Sequence, residues 1–275
     1  MKISVIVPVH NEERFISACL TSLKQQSLSV EIIVVDDGSK DRSVKRIKKI
    51  RGIHLFSQSH LGAALARNRG AKHARGDILV FVDADMTFDK NFIKALVKPI
   101  VEGRTKGTFT KEERVANWSS VWARCFNFET VGNRDQRRVT GRQGDEANVF
   151  RAVLKTEFDR VGGFEATGYT DDWTLAKKLG YLAKAAPNAI CYHTNPDSLA
   201  AVFRQARWIG KRRYRFGEVG RIIALGRASL PTSLFLGVVK AFTFRTPGFM
   251  VFKLVYDLGV VFGILSFWLT KSHAR

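Results

Sequence analysis

Two carboxylates one residue apart, Asp83 and Asp85, sit at the end of an apolar run, DILVFVD (77–83). In extended backbone, side chains two residues apart point the same way, so both carboxylates reach one region of space. A pair of hard oxygen ligands there suits a divalent cation whose shell is completed by water and phosphate oxygens. The structural alternative is that one Asp caps the helix after the turn. A second acidic cluster, Asp36-Asp37-Gly38-Ser39, closes the run EIIVVD (31–36). A carboxylate at a strand end can accept hydrogen bonds from the N–H groups of a nucleobase. A tight turn at Gly38 with Ser39 as a helix cap is the alternative there.

These clusters need elements to hold them. ISVIVP (3–8), EIIVVD (31–36), a short run at 54–57 and DILVFVD (77–83) read as buried strands. Helical spacing follows three of them: Phe15, Ile16, Cys19, Leu20 and Leu23; an Ala-rich stretch at 63–75; and Phe92, Ile93, Leu96, Val97 and Ile100. Asn11 is the expected cap of the first helix, with Glu12 and Glu13 in its first turn. A basic helix is expected to run to about Ile50. This alternation predicts an α/β fold with a mostly parallel, Rossmann-like sheet covered on both faces. Ligands of such sheets lie beyond the carboxyl ends of the strands, where Pro8–Asn11, Asp36–Ser39 and Asp83–Asp85 all fall. Further along, 115–130 reads as a helix with Trp118 and Trp122, 134–151 as loop and short strand, and Gly162-Gly163-Phe164 as a turn. A helix is expected from Asp172 to about Gly180, capped by Thr170 or Asp171, and a basic helix over 197–217.

Five stretches, VIVPVHNEERFI (5–16), VVDDGSKDRS (34–43), LGAALARNRGAKHARGDILVFVDAD (61–85), ANVFRAVLKTEFDRVGGF (147–164) and YTDDWTLAKKLG (169–180), follow one another in an order and spacing that resemble family 2 glycosyltransferases. The resemblance covers roughly residues 3–215 and implies a GT-A fold and transfer of a sugar from a UDP- or GDP-linked donor with inversion at the anomeric carbon. It implies that Pro8, Val9 and Glu12 form the first nucleotide-contacting turn and that Asp37, with Asp36, binds the base. Arg67, Asn68 and Gly70 resemble the segment supporting the diphosphate. Asp83 resembles the ribose-facing acid and Asp85 the ligand of Mn2+ or Mg2+, with His193 as a third metal ligand. Asp171-Asp172 is similar to the family's Glu-Asp pair, with Asp172 as the base and Asp in place of the first Glu. Arg204-Gln205-Ala206-Arg207-Trp208 is similar to the QxxRW motif of polymer-forming members, with Arg204 in place of its Gln. Arg207 would neutralise the departing diphosphate, and Trp208 completes the match. LVFVDADMT (79–87) also resembles the first motif of haloacid-dehalogenase-type phosphatases, in which Asp83 would be the nucleophile. Three strands precede it, however, and no GDxxxD follows, so the transferase is the preferred reading.

The formal net charge of +20 calls for an anionic partner. Cations and aromatics crowd together between Phe203 and Arg227, with no helix-turn-helix, zinc-finger or RNA-binding signature, so nucleic acid is not the expected partner. A basic binding protein for membranes or nucleic acid is the non-enzymatic alternative. An anionic membrane surface fits better, because two apolar segments, Ser233–Phe244 and Phe249–Leu269, follow. Lys253 and Asp257 interrupt the second and stand four apart, as a helical ion pair would. The segments could re-enter, lie on the bilayer, or pack on the catalytic domain with homodimer contact. The expected organisation is a GT-A domain over 1–195, basic amphipathic helices over 196–230 and a membrane-associated tail over 231–275. Cys19, Cys125 and Cys191 have no metal or disulfide spacing, and the N-terminal apolar run is too short for a signal peptide. Both place the catalytic domain on the cytoplasmic face of the membrane, with a membrane-proximal glycan or polyprenyl-phosphate-linked acceptor.

Overall fold

The first apolar runs bury residues of both parities, the pattern of strands covered on two faces. The protein is described by a computed structural model covering residues 1–138, 144–167 and 171–270, the side chains of Asp171 and Asp172 excepted. Its elements are β1 (Ile3–Val9), α1 (Ile16–Lys24), β2 (Glu31–Asp37), α2 (Ser43–Ile47), β3 (Ile53–Gln58), α3 (Ala63–His73), β4 (Ile78–Phe81), β5 (Met86–Phe88), α4 (Phe92–Val101), β6 (Gly107–Phe109) and β7 (Glu112–Val115). There follow α5 (Val121–Thr130), β8 (Glu146–Ala147), β9 (Ala152–Leu154), α6 (Lys155–Arg160), α7 (Asp171–Leu179), β10 (Ala183–Ala185), β11 (Ile190–His193), α8 (Leu199–Gly210), α9 (Gly217–Arg227), α10 (Leu230–Thr243) and α11 (Phe249–Thr270). The chain divides into two compact units, Met1–Arg114 with Gly141–His193, and Val115–Thr140 with Thr194–Ala274.

In the first unit the strands lie in the order β3-β2-β1-β4-β9-β6-β10-β8. β3, β2, β1 and β4 are mutually parallel, and β9 runs antiparallel between β4 and β6. Val5, Val7, Ile32, Val34 and Val80 face α1 and α4, whereas Ile6, Ile33, Val35, Leu79 and Phe81 face α3, α6 and α7. Each large side chain buried this way is worth roughly 1.5–3 kcal/mol. Gly70 lets α3 approach β1, since a Cβ there would lie 2.5 Å from Ile6 Cγ2. Pairing of Val9 with Asp36 and of Ile6 with Phe81 aligns the carboxyl ends of β1, β2 and β4 along one edge. A second sheet, β5-β11-β7, sits beside that edge.

Three local expectations differ from the structure. Asn11 does not cap α1: it takes a left-handed φ of 58°, its Oδ1 accepts from Lys40 N, and the helix begins only at Ile16. α2 ends at Ile47, short of Ile50. The basic helix expected over 197–217 stops at Gly210, and a second helix, α9, starts only at Gly217. The break is the KRRYRF run itself (211–216), whose like charges repel along a helix, and Gly217 takes a φ of 55° that glycine adopts without strain. The expected Gly162-Gly163 turn is present, with φ of 71° and 73°.

The second unit is helical. Its core gathers Phe126, Phe128, Val202, Ile209, Phe249 and Phe252. α8 and α11 cross on glycine: a Cβ at Gly263 would lie 2.2 Å from Arg207 O, and one at Gly259 would lie 2.7 Å from Ala206 Cβ. α10 packs on α11 through Ser233, Gly237 and Ala241. The Lys253–Asp257 pair is present and buried, with Nζ 2.7 Å from Oδ1. It joins a larger network. Lys253 also donates to Glu129 at 3.0 Å, Lys240 donates to Glu129 at 2.6 Å, and Ser233 donates to Asp257 at 2.6 Å. Two cations therefore match two carboxylates, which is how charges survive burial.

Candidate active site

Asp83 follows β4 at the shared edge and is held from two sides. Arg67 of α3 donates to its Oδ1 at 2.8 Å, and Arg151, just before β9, donates to its Oδ2 at 3.0 Å. Burial alone would raise its pKa, but Arg151 and then Arg67 hold the carboxyl far below the usual carboxylate range. Both guanidiniums are themselves fixed: Arg67 lies over the Phe164 ring, and Arg151 reaches Glu113 at 3.5 Å.

Asp85 faces the second sheet. β11 pairs with β5 so that His193 stands opposite Met86, the residue after Asp85. His193 Nε2 lies 2.8 Å from Asp85 Oδ2, and its Nδ1 lies 3.0 Å from Glu113 Oε1 on β7. The imidazole is therefore clasped between two carboxylates. Nδ1–H donated to Glu113 orients the ring, and a proton shared between Nε2 and Asp85 makes the second contact, one that a cation held by both groups would displace. Glu12 completes the cluster. Burial, then the charges of Asp85 and Asp83, push its carboxyl up to about 8. The thiol of Cys19 is raised too, by burial first and then by Asp85 and Asp83. Four carboxylates (Glu12, Asp83, Asp85 and Glu113) thus meet two guanidiniums. Once Glu12 is ionised the surplus is two negative charges, and with the His193 imidazole these groups are a donor set that fits a divalent cation. Asp85 and His193 are the residues able to ligate it, because the oxygens of Asp83 are engaged by arginine.

The second acidic cluster is built differently. Asp37 is buried, and its Oδ1 accepts from Gln58 Nε2 and Leu61 N, both at 2.8 Å. Its Oδ2 accepts from His60 Nδ1 and Gly62 N, both at 2.9 Å. Asp36 accepts from Ser39 N at 3.2 Å. His10 stacks on His60 with ring centroids 3.9 Å apart, and its Nδ1 meets the Asp37 carbonyl oxygen at 2.9 Å. Facing atoms of His10, Asp37 and His60 lie within 4.8 Å of one another. They already satisfy each other as donors and acceptors, and the two rings stack with their planes inclined by 22°. This is the arrangement of a polar clasp around a strand end.

A Glycosyl transferase family 2 profile matches residues 4–156. The chain belongs to glycosyltransferase family 2. That assignment, with both oxygens of Asp83 tied to arginine, removes the phosphatase reading. This family 2 glycosyltransferase is 38% identical over 272 residues to Glycosyltransferase GlyA of Streptococcus pneumoniae, across 87% of this chain and 37% of that protein. It thus spans little more than a third of that relative. Among solved structures it resembles the mannosyltransferase PcManGT from Pyrobaculum calidifontis in complex with GDP-Man and Mn2+, with a TM-score of 0.59 and 20% identity over 94% of this chain and 87% of that one. It also resembles TarS 1–349 of S. aureus in complex with UDP-GlcNAc, with a TM-score of 0.55 and 17% identity over 100% and 93% of the two chains. These likenesses show the GT-A fold expected from the sequence.

The family 2 transferase gathers Glu12, Arg67, Asp83, Asp85 and His193 in one cluster, with Pro8, Val9, Asp36 and Asp37 along the same edge. Asn68 serves the scaffold: its amide clasps the backbone of Phe164 in both directions, each contact 2.9 Å. Asp171 and Asp172 open α7, and their side chains lie outside the described residues. Arg207 and Trp208 are exposed on α8 of the helical unit. Arg151, Glu113, Gln58 and His60 were not singled out from the sequence. Arg151 stood inside a quoted motif, NVFRAVL, while Glu113 lies where the sequence pattern loosens and carries no signal of its own.

Proposed function

We propose that the protein transfers a sugar from a UDP- or GDP-linked donor, with inversion, to a membrane-proximal glycan or polyprenyl-phosphate acceptor at the cytoplasmic face of a membrane. The observation that carries this reading is the carboxylate-rich cluster of Glu12, Asp85, His193 and Glu113 beside an arginine-clamped Asp83, at the strand edge where α/β folds bind ligands. PcManGT bound to GDP-Man and Mn2+ and TarS bound to UDP-GlcNAc supply the analogy for the donor and the metal. Asp85 and His193 would hold Mn2+ or Mg2+, which when bound neutralises charge developing on the leaving diphosphate. Asp83, fixed by Arg67 and Arg151, faces the ribose. Asp36 and Asp37 form the base side; an incoming base N–H reaches the Asp37 carboxylate by displacing Gln58 or His60. Asp172 takes the proton of an acceptor hydroxyl, and orients the acceptor if that is a phosphate. Arg207 balances the departing diphosphate, with Trp208 beside it. Membrane proximity is supported by the basic, apolar helical unit.

The test is a thermal-shift panel of UDP, GDP and dTDP sugars with and without Mn2+, on the wild type and on Asp85→Ala. A specific donor stabilises the folded state, and Asp85→Ala should lose both the metal-dependent shift and transfer. Asp172→Asn should lose transfer while keeping donor binding. Intact sugar transfer by Asp85→Ala overturns the metal assignment, and a flat panel overturns the donor class.

A further inference from the structure

α11 is long and apolar enough to cross a membrane, yet its neighbours constrain where it can be. Its midpoint, Gly259, abuts the Phe203 carbonyl and the Ala206 side chain of α8. α8 therefore shares whatever depth the centre of α11 occupies, and α8 exposes Arg204 and Arg207. A crossing α11 would carry those guanidiniums into the hydrocarbon, where charge is strongly disfavoured. Lys253 and Asp257 point inward, 5% and 4% exposed, and are satisfied by each other, by Glu129 and by Ser233. The polar residues of α11 thus serve the interior of the helical unit and leave one outer face free of them.

That outer face is apolar and periodic. On α11, Val251, Leu258, Phe262, Leu265 and Leu269 are exposed at spacings of seven, four, three and four, a single helical stripe. On α10, Leu234, Phe235, Val238 and Phe242 are exposed, opposite the small residues that pack on α11; Phe235 is 68% and Phe242 81% exposed. Val219, Ile222 and Ile223 do the same on α9. Exposed Arg213, Arg215 and Arg227 flank these helices, within a chain of net charge +20. Apolar stripes bordered by arginine are complementary to one occupant, an anionic bilayer surface, with the stripes among the acyl chains and the guanidiniums at the phosphates.

We propose that the helical unit is a monotopic membrane seat: α9, α10 and the outer face of α11 embed in one anionic leaflet, and no helix crosses. This rests on the membrane-side part of the proposed function and is independent of donor chemistry. The experiment uses the full chain. Flotation is measured with vesicles of phosphatidylcholine alone and of equal parts phosphatidylcholine and phosphatidylglycerol. Binding should strengthen by at least about tenfold on the anionic vesicles. Phe235→Glu with Phe242→Glu should abolish flotation while leaving thermal stabilisation by the nucleotide sugar unchanged, which separates failure of the seat from failure of the transferase reading. In parallel, Pro247→Cys, just before α11, and Thr270→Cys, at its far end and off the apolar stripe, are labelled with a membrane-impermeant maleimide in inverted membrane vesicles. The three native cysteines are buried, so the label reads the introduced thiol. Both ends should react. Labelling of one end alone would show a crossing helix and overturn the proposal. So would absence of flotation on either vesicle, or a dimer lost in the double Glu variant without any vesicle binding.

Discussion

Glu12 offers the sharpest test of the charge balance in the site. Its carboxyl is raised from 4.5 to about 8 by burial, then by Asp85 and Asp83. A group whose folded pKa exceeds its unfolded value contributes stability that is complete below the unfolded pKa and disappears as pH rises through the folded one. Metal-free protein should therefore lose stability between about pH 4.5 and 8, by an amount on the order of 3–5 kcal/mol if the whole shift is expressed, at 1.36 kcal/mol per unit. Glu12→Gln removes the titrating group and leaves its backbone contacts, Glu12 N–H donated to Ser43 Oγ and the turn in which Phe15 N and Ile16 N donate to Glu12 O, in place. Urea denaturation across this range in EDTA should give a falling curve for the wild type and a markedly flatter one for the variant. Metal binding adds a second readout. A carboxyl with a pKa of about 8 is about nine-tenths protonated at pH 7, and a divalent cation beside it drives that proton off. Titration calorimetry in buffers of different ionisation enthalpy should find close to one proton more released per Mn2+ in the wild type than in Glu12→Gln. Parallel stability curves, or equal proton release from the two proteins, would refute the account of a carboxylate surplus awaiting a cation.

Arg151→Gln should leave Asp83 with one guanidinium and lower stability by about 1–3 kcal/mol, with weaker donor binding in calorimetry. Lys253→Met breaks a buried pair on one side and should cost about 3 kcal/mol in urea denaturation, much of it recovered when Asp257→Leu is added. Gly263→Val forces a side chain against Arg207 O and should destabilise by about 3 kcal/mol through overpacking, read as a lower denaturation midpoint.

The sheet and its ligand edge were legible because they follow from short-range patterns. Both parities apolar in 3–9 and 31–36 mean a strand buried on two faces, and acids directly after such runs must fall at the carboxyl edge. Asp85 and His193 were legible one at a time, through residue type and resemblance. What the sequence hid is the partner that joins them. Glu113 reaches His193 only because β11 lies between β5 and β7, a pairing across 80 residues that no local periodicity encodes. Asn11 misled for a local reason: its side chain bonds Lys40 N in the neighbouring turn instead of the start of a helix, a competition open to every Asn. The break between α8 and α9 was written in KRRYRF and Gly217, but the amphipathic period on both sides masked it. The inward ion network was half visible, since the spacing of Lys253 and Asp257 foretold their pairing, while Glu129 and Lys240 required the tertiary fold.

The crossing of α8 and α11 has a practical corollary. Gly263 and Gly259 let α11 lie directly on the main chain of α8, so the peptide group of Arg207 is walled in by the apolar C-terminal segment. A chain shortened before Phe249 to gain solubility would uncover that wall, leave Glu129 with Lys240 as its one remaining partner in that network, and release the turn of helix bearing Arg207 and Trp208. Protein meant for assay should keep α11 and be handled in detergent.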